Sequence, residues 1–261
     1  KNYSYQFNGQ LLDNLYNSGK TPSMFVGEYY DYNPASLMNW VDNVINSMAP
    51  ATQAAVTPRL FDFALQGSLK EACDNISNYD TRGIFQSGMV DGAGANGYNA
   101  VTFINNHDFR FASQSCDIDR ELAYAYILTN NAIGLPCVYY PDYYDSSGTA
   151  KTKIDELMDL HRKFIYQTSF REYLNRFSTP FSNNYISGSA DKCLIYQLSG
   201  GGSFSCIANR DVIVAINFGN TTLKVDHQVN TGAPFHSNAG DTLLDVLGNS
   251  GFPYAIVNGG G

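Results

Sequence analysis

The sequence predicts an α/β chain: four βα units, half of an eightfold (β/α)8 barrel, over residues 1–174, then an antiparallel β-sandwich over residues 175–261. Three observations carry this reading. Helical and strand-like patterns alternate up to about residue 170, after which the hydrophobic period switches from helical to alternating. Several short apolar runs also end abruptly in a carboxylate or a histidine, as chemistry is placed at the carboxyl-terminal mouth of parallel strands.

Leu11, Leu12, Leu15 and Tyr16 form a helical stripe, and Ser23 to Gly27 then reads as a short buried strand ending at Glu28. The next helix opens at Asn33-Pro34, a cap followed by a proline at the first turn, with Leu37, Val41, Val44, Ile45 and Met48 on its apolar face. Val56 to Phe63 reads as the following strand, and Leu69, Ala72, Cys73 and Ile76 mark the face of another helix. Ser77 to Asn99, rich in Asn, Asp and Gly, reads as a long loop, either plain surface or substrate-facing. Val101 to Asn105 is a strand, Ile118 to Asn131 a helix, Leu135 to Tyr140 a strand and Lys153 to Thr168 a helix.

Beyond about residue 175, short β runs are spaced by Gly, Asn and Asp turns: Cys193–Leu198, Phe204–Ala208, Val212–Phe218, Thr222–Val225, Leu243–Leu247 and Tyr254–Val257. Cys193 and Cys206 flank Gly200-Gly201-Gly202, so a hairpin would set them opposite each other, as a disulfide in an oxidising compartment or as buried free thiols. The five cysteines form no CxxC pair and show no Cys/His spacing suited to structural zinc.

Composition narrows the function classes. Lys and Arg number 16 against 24 Asp and Glu, a net charge of −8, and no basic stripe stands ready to neutralise phosphates, which argues against a nucleic-acid partner. No stretch approaches the roughly 20 apolar residues of a membrane span. Aromatic residues make up 14%, mostly 19 Tyr and 16 Phe, and their flat faces suit sugars as well as a core. The chain opens at Lys1 with neither Met nor an apolar leader, so a start other than the natural one is expected.

The most informative run is Phe103-Ile104-Asn105-Asn106-His107-Asp108-Phe109, where an apolar strand ends in a histidine and a carboxylate side by side. With Phe25-Val26-Gly27-Glu28 and Phe61-Asp62-Phe63 before it and Gly134 to Tyr140 after it, the ordered set resembles the second half of the α-amylase family, glycoside hydrolase family 13. The resemblance covers nearly the whole chain. It implies the C-terminal half of a TIM (β/α)8 barrel, strands five to eight, followed by the family's antiparallel β-domain. Gly27-Glu28 matches the strand-five motif, whose glutamate is the general acid/base. Asn106-His107-Asp108 matches the strand-seven motif, which implies that Asp108 stabilises the transition state and His107 hydrogen-bonds the bound sugar. Phe61 to Leu65 resembles the strand-six run and Gly134 to Tyr140 the strand-eight run.

The chemistry needs these residue types. A retaining glycosidase uses one carboxylate as nucleophile and a second, of raised pKa, to protonate the leaving oxygen and then activate water. The neighbouring Tyr29, Tyr30 and Tyr32 are expected to give Glu28 partly apolar surroundings. A further carboxylate beside a developing oxocarbenium ion adds electrostatic stabilisation. Asn106, Lys1, Tyr29 and Arg110 join His107 as expected substrate contacts. Arg110, two residues after Asp108, is placed either to pair with a carboxylate or merely to flank the loop. Tyr139, Tyr140, Tyr143 and Tyr144 read either as a stacking wall or, for the first two, as core.

The departure from the family pattern concerns the nucleophile, an aspartate in an Asp-x-x-Lys-His motif after strand four. If Lys1 is that lysine, the chain begins just past the nucleophile, and the missing N-terminal half of the barrel becomes an expected partner. Asn2 stands where the family usually has histidine, which bears on a calcium that some members bind through that backbone. Calcium is therefore expected only as a structural ion, and no cofactor is needed for the chemistry. The resemblance implies retaining hydrolysis of α-1,4-glucosidic bonds in starch or related glucans by a secreted protein, with the isolated chain inactive. A transglycosylase of the same superfamily and a non-catalytic glycan-binding barrel are the alternatives.

Overall fold

A computed structural model describes residues 3–145, 148–177, 186–187, 189–200, 211–222, 224–225, 229–248 and 254–256. It divides into two compact units. The first comprises Lys1–Glu71, Ile84–Cys116 and Ile133–Tyr139, and the second Ala72–Gly83, Asp117–Ala132 and Tyr140–Gly261.

The first unit is built on a parallel sheet of four strands in sequential order: β1 (Phe25–Gly27), β2 (Pro58–Phe61), β3 (Ala100–Thr102) and β4 (Leu135–Pro136). The register sets Gly27 against Leu60, Phe61 against Val101 and Thr102 against Pro136. Parallel neighbours require a crossover between them. The first crossover contains α2 (Pro34–Asn46) and α3 (Pro50–Ala55), and α1 (Tyr5–Asn17) precedes β1. Asn33 caps α2 as expected, its Oδ1 accepting the Ala35 N–H at 2.9 Å with Pro34 in the first turn. Leu37, Val41, Leu60, Met89 and Ala100, all fully buried, form the core between sheet and helix. Burial of each of the Leu, Val and Met side chains contributes roughly 1.5–3 kcal/mol. Gly134 enters β4 at φ +141°, and a Cβ there would lie 2.9 Å from the Ala100 carbonyl oxygen. Only glycine combines that backbone with so close an approach.

The second crossover begins with α4 (Phe63–Asp74) and differs from the expected loop over 77–99. Within that segment lie 3₁₀ turns at Thr81–Gln86 and Gly97–Asn99 and a short helix α5 (Met89–Ala93). Ile84, Phe85 and Met89 are buried and anchor it, a role hidden by the polar, Gly-rich residues around them. The strand read as Leu135 to Tyr140 is confined to Leu135–Pro136, and Tyr140 opens α7 (Tyr140–Tyr143) instead of ending a strand.

The second unit includes α6 (Arg120–Thr129), α7 and α8 (Thr149–Leu160), the last continued by a π-helical turn at His161–Ile165. Its main sheet is antiparallel, in the order β5 (Phe170–Tyr173), β7 (Cys193–Ser199), β8 (Asp211–Asn217); β6 (Ile186–Ser187) pairs separately with β9 (Lys224–Val225), and β10 (Thr242–Leu244) with β11 (Tyr254–Ile256). Every residue of β7 is buried, so this central strand leaves neither face to solvent, and its polar Gln197 and Ser199 are hydrogen-bonded inside. Tyr126 and Tyr173 both pack edge-on against Tyr196, with ring centroids at 5.8 and 6.1 Å. The expected strand Phe204–Ala208 lies outside the described residues, as does Cys206. Cys193 is a buried free thiol whose Sγ donates to the Ala190 carbonyl at 3.5 Å. The chain is thus a mixed α/β protein with a parallel sheet and a separate three-stranded antiparallel sheet. Among the described residues no helix is long and apolar enough to cross a membrane.

Candidate active site

The carboxyl ends of the parallel strands of the first unit carry the candidate residues. Glu28 follows β1 directly, Asp62 follows β2, and the run Asn106-His107-Asp108 lies four to six residues beyond β3. Glu28 and Asp108 line the same open cleft of about 250 Å³, together with Tyr30, Phe63, Asn106, Phe109 and Gln114. The structure therefore brings together a glutamate and an aspartate from two strands separated by one neighbour.

Two asparagines shape the loop that presents Asp108. Asn105 is buried and pairs with the backbone of Cys116 in both directions, its Nδ2 donating to Cys116 O at 3.0 Å and its Oδ1 accepting from Cys116 N at 2.8 Å. That pair closes the loop at its base. Asn106 Oδ1 accepts the backbone N–H groups of Asp108 at 2.9 Å and Phe109 at 3.1 Å, the short-range turn at which asparagine excels. Gln114 reinforces the far side, Oε1 accepting from Arg110 N at 3.2 Å while its own carbonyl accepts from Gln66 Nε2 at 3.1 Å.

His107 Nε2 and Arg110 Nη2 each lie 3.6 Å from an Asp108 carboxylate oxygen. Both side chains are largely exposed, at 80% and 75%, so these are loose, solvent-screened contacts. Neither residue is among those lining the cleft. Tyr29 is half-buried and stacks on Trp40 with centroids 6.5 Å apart, packed against the core behind β1. Lys1 lies outside the described residues.

Aromatic rings form the cleft wall. Tyr30 packs edge-on against Phe63 at 4.9 Å and against Tyr32 at 5.4 Å, the two tyrosine hydroxyls 3.0 Å apart. Phe63 in turn meets Phe103 at 5.0 Å and Phe109 at 6.4 Å. Desolvation and the Tyr30 hydroxyl both push the Tyr32 phenol above its usual range, so it stays neutral. Tyr32 lies over Gly67 of α4, where a Cβ would sit 2.8 Å from its ring. Phe63, Phe109 and Gln114 are cleft residues that the sequence reading did not single out; the alternation of Phe61, Phe63, Phe103 and Phe109 around the strand ends was the available signal.

Asp62 takes a different part. It is 1% exposed, and its two oxygens accept from Leu65 N at 3.0 Å and Met89 N at 2.8 Å, capping α4 and fixing the start of α5. Burial pushes its carboxyl up to about 6, against the opposing pull of those backbone N–H groups. Asp62 is thus a buried structural carboxylate.

Ser199, His236 and Asp211 meet in the second unit without forming a nucleophile relay. Ser199 Oγ and Asp211 Oδ1 both face the same ring nitrogen, His236 Nδ1, at 2.8 and 3.7 Å, and Ser199 is fully buried with its hydroxyl also directed at Pro234 O. Among the described residues no group of three or more His, Cys, Asp or Glu could hold a metal ion. Asn2, on which the calcium expectation turns, lies outside the described residues.

Fold and site together define a mixed α/β protein whose parallel sheet carries, beyond the carboxyl ends of its strands, an aromatic-walled cleft with two carboxylates. No family model matches the chain. It is 30% identical over 184 residues to an alpha-amylase of Geobacillus stearothermophilus, covering 67% of this chain and 31% of that protein. It is 29% identical over 154 residues to a glucan 1,4-alpha-maltohexaosidase of Bacillus sp. (strain 707), covering 55% and 29%. A probable alpha-amylase 2 of Arabidopsis thaliana is 30% identical over 145 residues, covering 52% and 32%. The chain is a relative of the α-amylase family, glycoside hydrolase family 13, and spans about a third of the length of the curated relatives it matches.

Proposed function

We propose that this chain supplies two of the carboxylates of a retaining α-amylase-type glycoside hydrolase that cleaves α-1,4-glucosidic bonds in starch or related glucans. The observation that carries the reading is that Glu28 and Asp108, from separate strands, line one aromatic-walled cleft. Glu28 is the general acid/base, protonating the leaving oxygen and then activating water. Asp108 stabilises the positive charge that develops on the sugar ring. Asn106 holds the backbone of Asp108, and His107, Arg110, Tyr29 and Lys1 are the proposed substrate contacts.

A retaining mechanism also requires a nucleophilic carboxylate. Among the described residues the cleft offers Glu28 and Asp108 alone, and the parallel sheet ends at β1 on one side and β4 on the other. Open edges of a parallel sheet are normally covered. The nucleophile is therefore assigned to a further segment that completes the sheet as a (β/α)8 barrel, with residues 175–261 as the β-domain. Secretion accords with the proposed starch substrate. The similarity to an alpha-amylase and to a glucan 1,4-alpha-maltohexaosidase supports the substrate class.

The test is an assay of the native protein on malto-oligosaccharides, with its intact mass and N-terminal sequence measured alongside. Glu28→Gln is expected to lower kcat by at least about 100-fold with KM little changed. Undiminished hydrolysis by Glu28→Gln would remove this assignment. Products longer than the substrate would show transfer to a sugar hydroxyl in place of water.

A further inference from the structure

One face of α4 serves both the cleft wall and the loop that carries Asp108. Phe63 lines the cleft and meets Phe109 of the loop with ring centroids 6.4 Å apart. Gln66, three positions on and so on the same face of the helix, is 1% exposed and uses its amide on the loop backbone. Its Nε2 donates to Ile104 O and to Gln114 O, both at 3.1 Å. One nitrogen thus ties the two arms of the loop to each other and to the helix.

The amide can stand only one way. Turned over, its oxygen would face two carbonyl oxygens, so the donor end must lie toward the loop. That leaves Gln66 Oε1 buried with no hydrogen-bond partner among the described residues. An unsatisfied buried acceptor is destabilising, and an apolar side chain of the same length would avoid it. Such a side chain would lose the pair of donated hydrogen bonds. A packing rule broken in this way is expected at functional positions, and here the bridge leads to the candidate site.

From Gln114 the contacts run on to the carboxylate. Gln114 lines the cleft, its Oε1 accepts from Arg110 N at 3.2 Å, and between the two arms Asn106 Oδ1 accepts from Asp108 N at 2.9 Å. Asn105, Asn106 and Gln114 belong to the loop they brace. Gln66 comes from a separate element, so it sets where the braced loop sits relative to Phe63. We infer that Gln66 is a positioning residue for the proposed reaction, holding the loop of Asp108 against the cleft wall on α4. The part in catalysis rests on the proposed function; the bridge rests on the side-chain geometry. Asp108 acts on charge that develops only in the transition state, so its displacement lowers kcat and leaves KM almost unchanged.

Gln66→Met tests this in the native protein, because it keeps the length of the side chain and removes both donated hydrogen bonds. Assayed on malto-oligosaccharides well below the melting transition, kcat is expected to fall about tenfold or more, with KM within about twofold of wild type. Amide exchange should quicken across residues 105–116 and stay at wild-type rates in α2 and the rest of α4. In an Asp108→Asn background the same substitution should change kcat by less than about twofold, because a residue that acts through Asp108 has no carboxylate left to position. Gln66→Leu, shorter and equally apolar, provides the same test if Gln66→Met does not fold. A native enzyme whose kcat is indifferent to Gln66→Met, or an equal loss with and without the Asp108 carboxylate, would overturn the positioning role and leave the proposed function standing. Exchange that quickens throughout α4 and the parallel sheet would assign Gln66 to general stability and overturn it as well. Native wild-type protein that does not hydrolyse malto-oligosaccharides would remove the proposed function, and the part of Gln66 in catalysis with it.

Discussion

Asn106 Oδ1 accepts the backbone N–H of Asp108 at 2.9 Å, so the side chain of one residue sets the position of the carboxylate two residues on. The same oxygen holds Phe109 N at 3.1 Å, which couples Asp108 to a ring of the cleft wall. Asn106→Ala is expected to release both amides. If Asp108 acts as proposed, kcat/KM of the native protein on malto-oligosaccharides should fall roughly 10- to 100-fold, the scale of a reacting group displaced by about an ångström. Asn106→Asp, which retains the acceptor, should recover most of the loss. Hydrogen exchange at Asp108 and Phe109 reads the same event without substrate, and unchanged protection in Asn106→Ala would refute it.

Asp62 makes stability depend on pH in a defined window. Its folded-state pKa, raised to about 6 by burial, stands above the ordinary 3.8 of the unfolded chain. Between those values the unfolded state releases its proton first, so stability falls as pH rises through the window. The contribution is fully present below about 3.8 and gone above about 6. Asp62→Asn removes this titration but sets an amide donor where Leu65 N or Met89 N needs an acceptor. It should cost about 1–3 kcal/mol. Melting temperatures measured from pH 4 to pH 7 should show the wild-type advantage over Asp62→Asn shrinking as pH rises, and a constant gap would argue against the assignment.

Asn105 separates structure from chemistry within one motif. Its two-way pair with the Cys116 backbone closes the loop of residues 106–115, and the side chain is 7% exposed. Asn105→Ala leaves a buried N–H and a buried carbonyl without this partner and should destabilise the protein by about 2 kcal/mol or more. A thermal shift below about one degree would contradict that role, because a domain of this size loses about 2–4 °C per kcal/mol.

Local signals in the sequence were legible where the determinant is local. Asn33 and Pro34 fixed the start of α2 because capping depends on neighbours in the chain. The apolar runs before Glu28 and before Asn106-His107-Asp108 located β1 and β3 because the apolar residues stop there; β1 itself is only half-buried, and β3 ends at Thr102. Asp62 looked equivalent to them, yet its role is set by Met89, 27 residues away, a contact that no local pattern encodes. The turns within residues 77–99 were hidden in the same way, since Ile84 and Met89 gain their meaning only from the core they enter. Strands of two to four residues such as β4 and β5 are defined by their partners, which is why one was drawn too long and the other was missed. Helix α3 was missed beside them: its six residues carry Pro50 at the first turn but too few turns to show a period.

Gly67 offers a test in which propensity and packing predict opposite signs. In the interior of α4, glycine to alanine should stabilise by up to about 1 kcal/mol on helix propensity alone. A Cβ at Gly67, however, would lie 2.8 Å from Tyr32 Cδ1 and 3.0 Å from Cε1, closer than carbon atoms tolerate. The ring would have to move, and with it the 3.0 Å contact between the Tyr32 and Tyr30 hydroxyls at the cleft wall. Overpacking of this kind costs about 1–3 kcal/mol, which outweighs the propensity gain. Gly67→Ala should therefore lower the melting temperature, and the double variant Gly67→Ala with Tyr32→Ala should relieve the clash and restore part of the loss. A higher melting temperature in the single variant would mean that Tyr32 does not rest on α4, and that the aromatic wall is held from elsewhere.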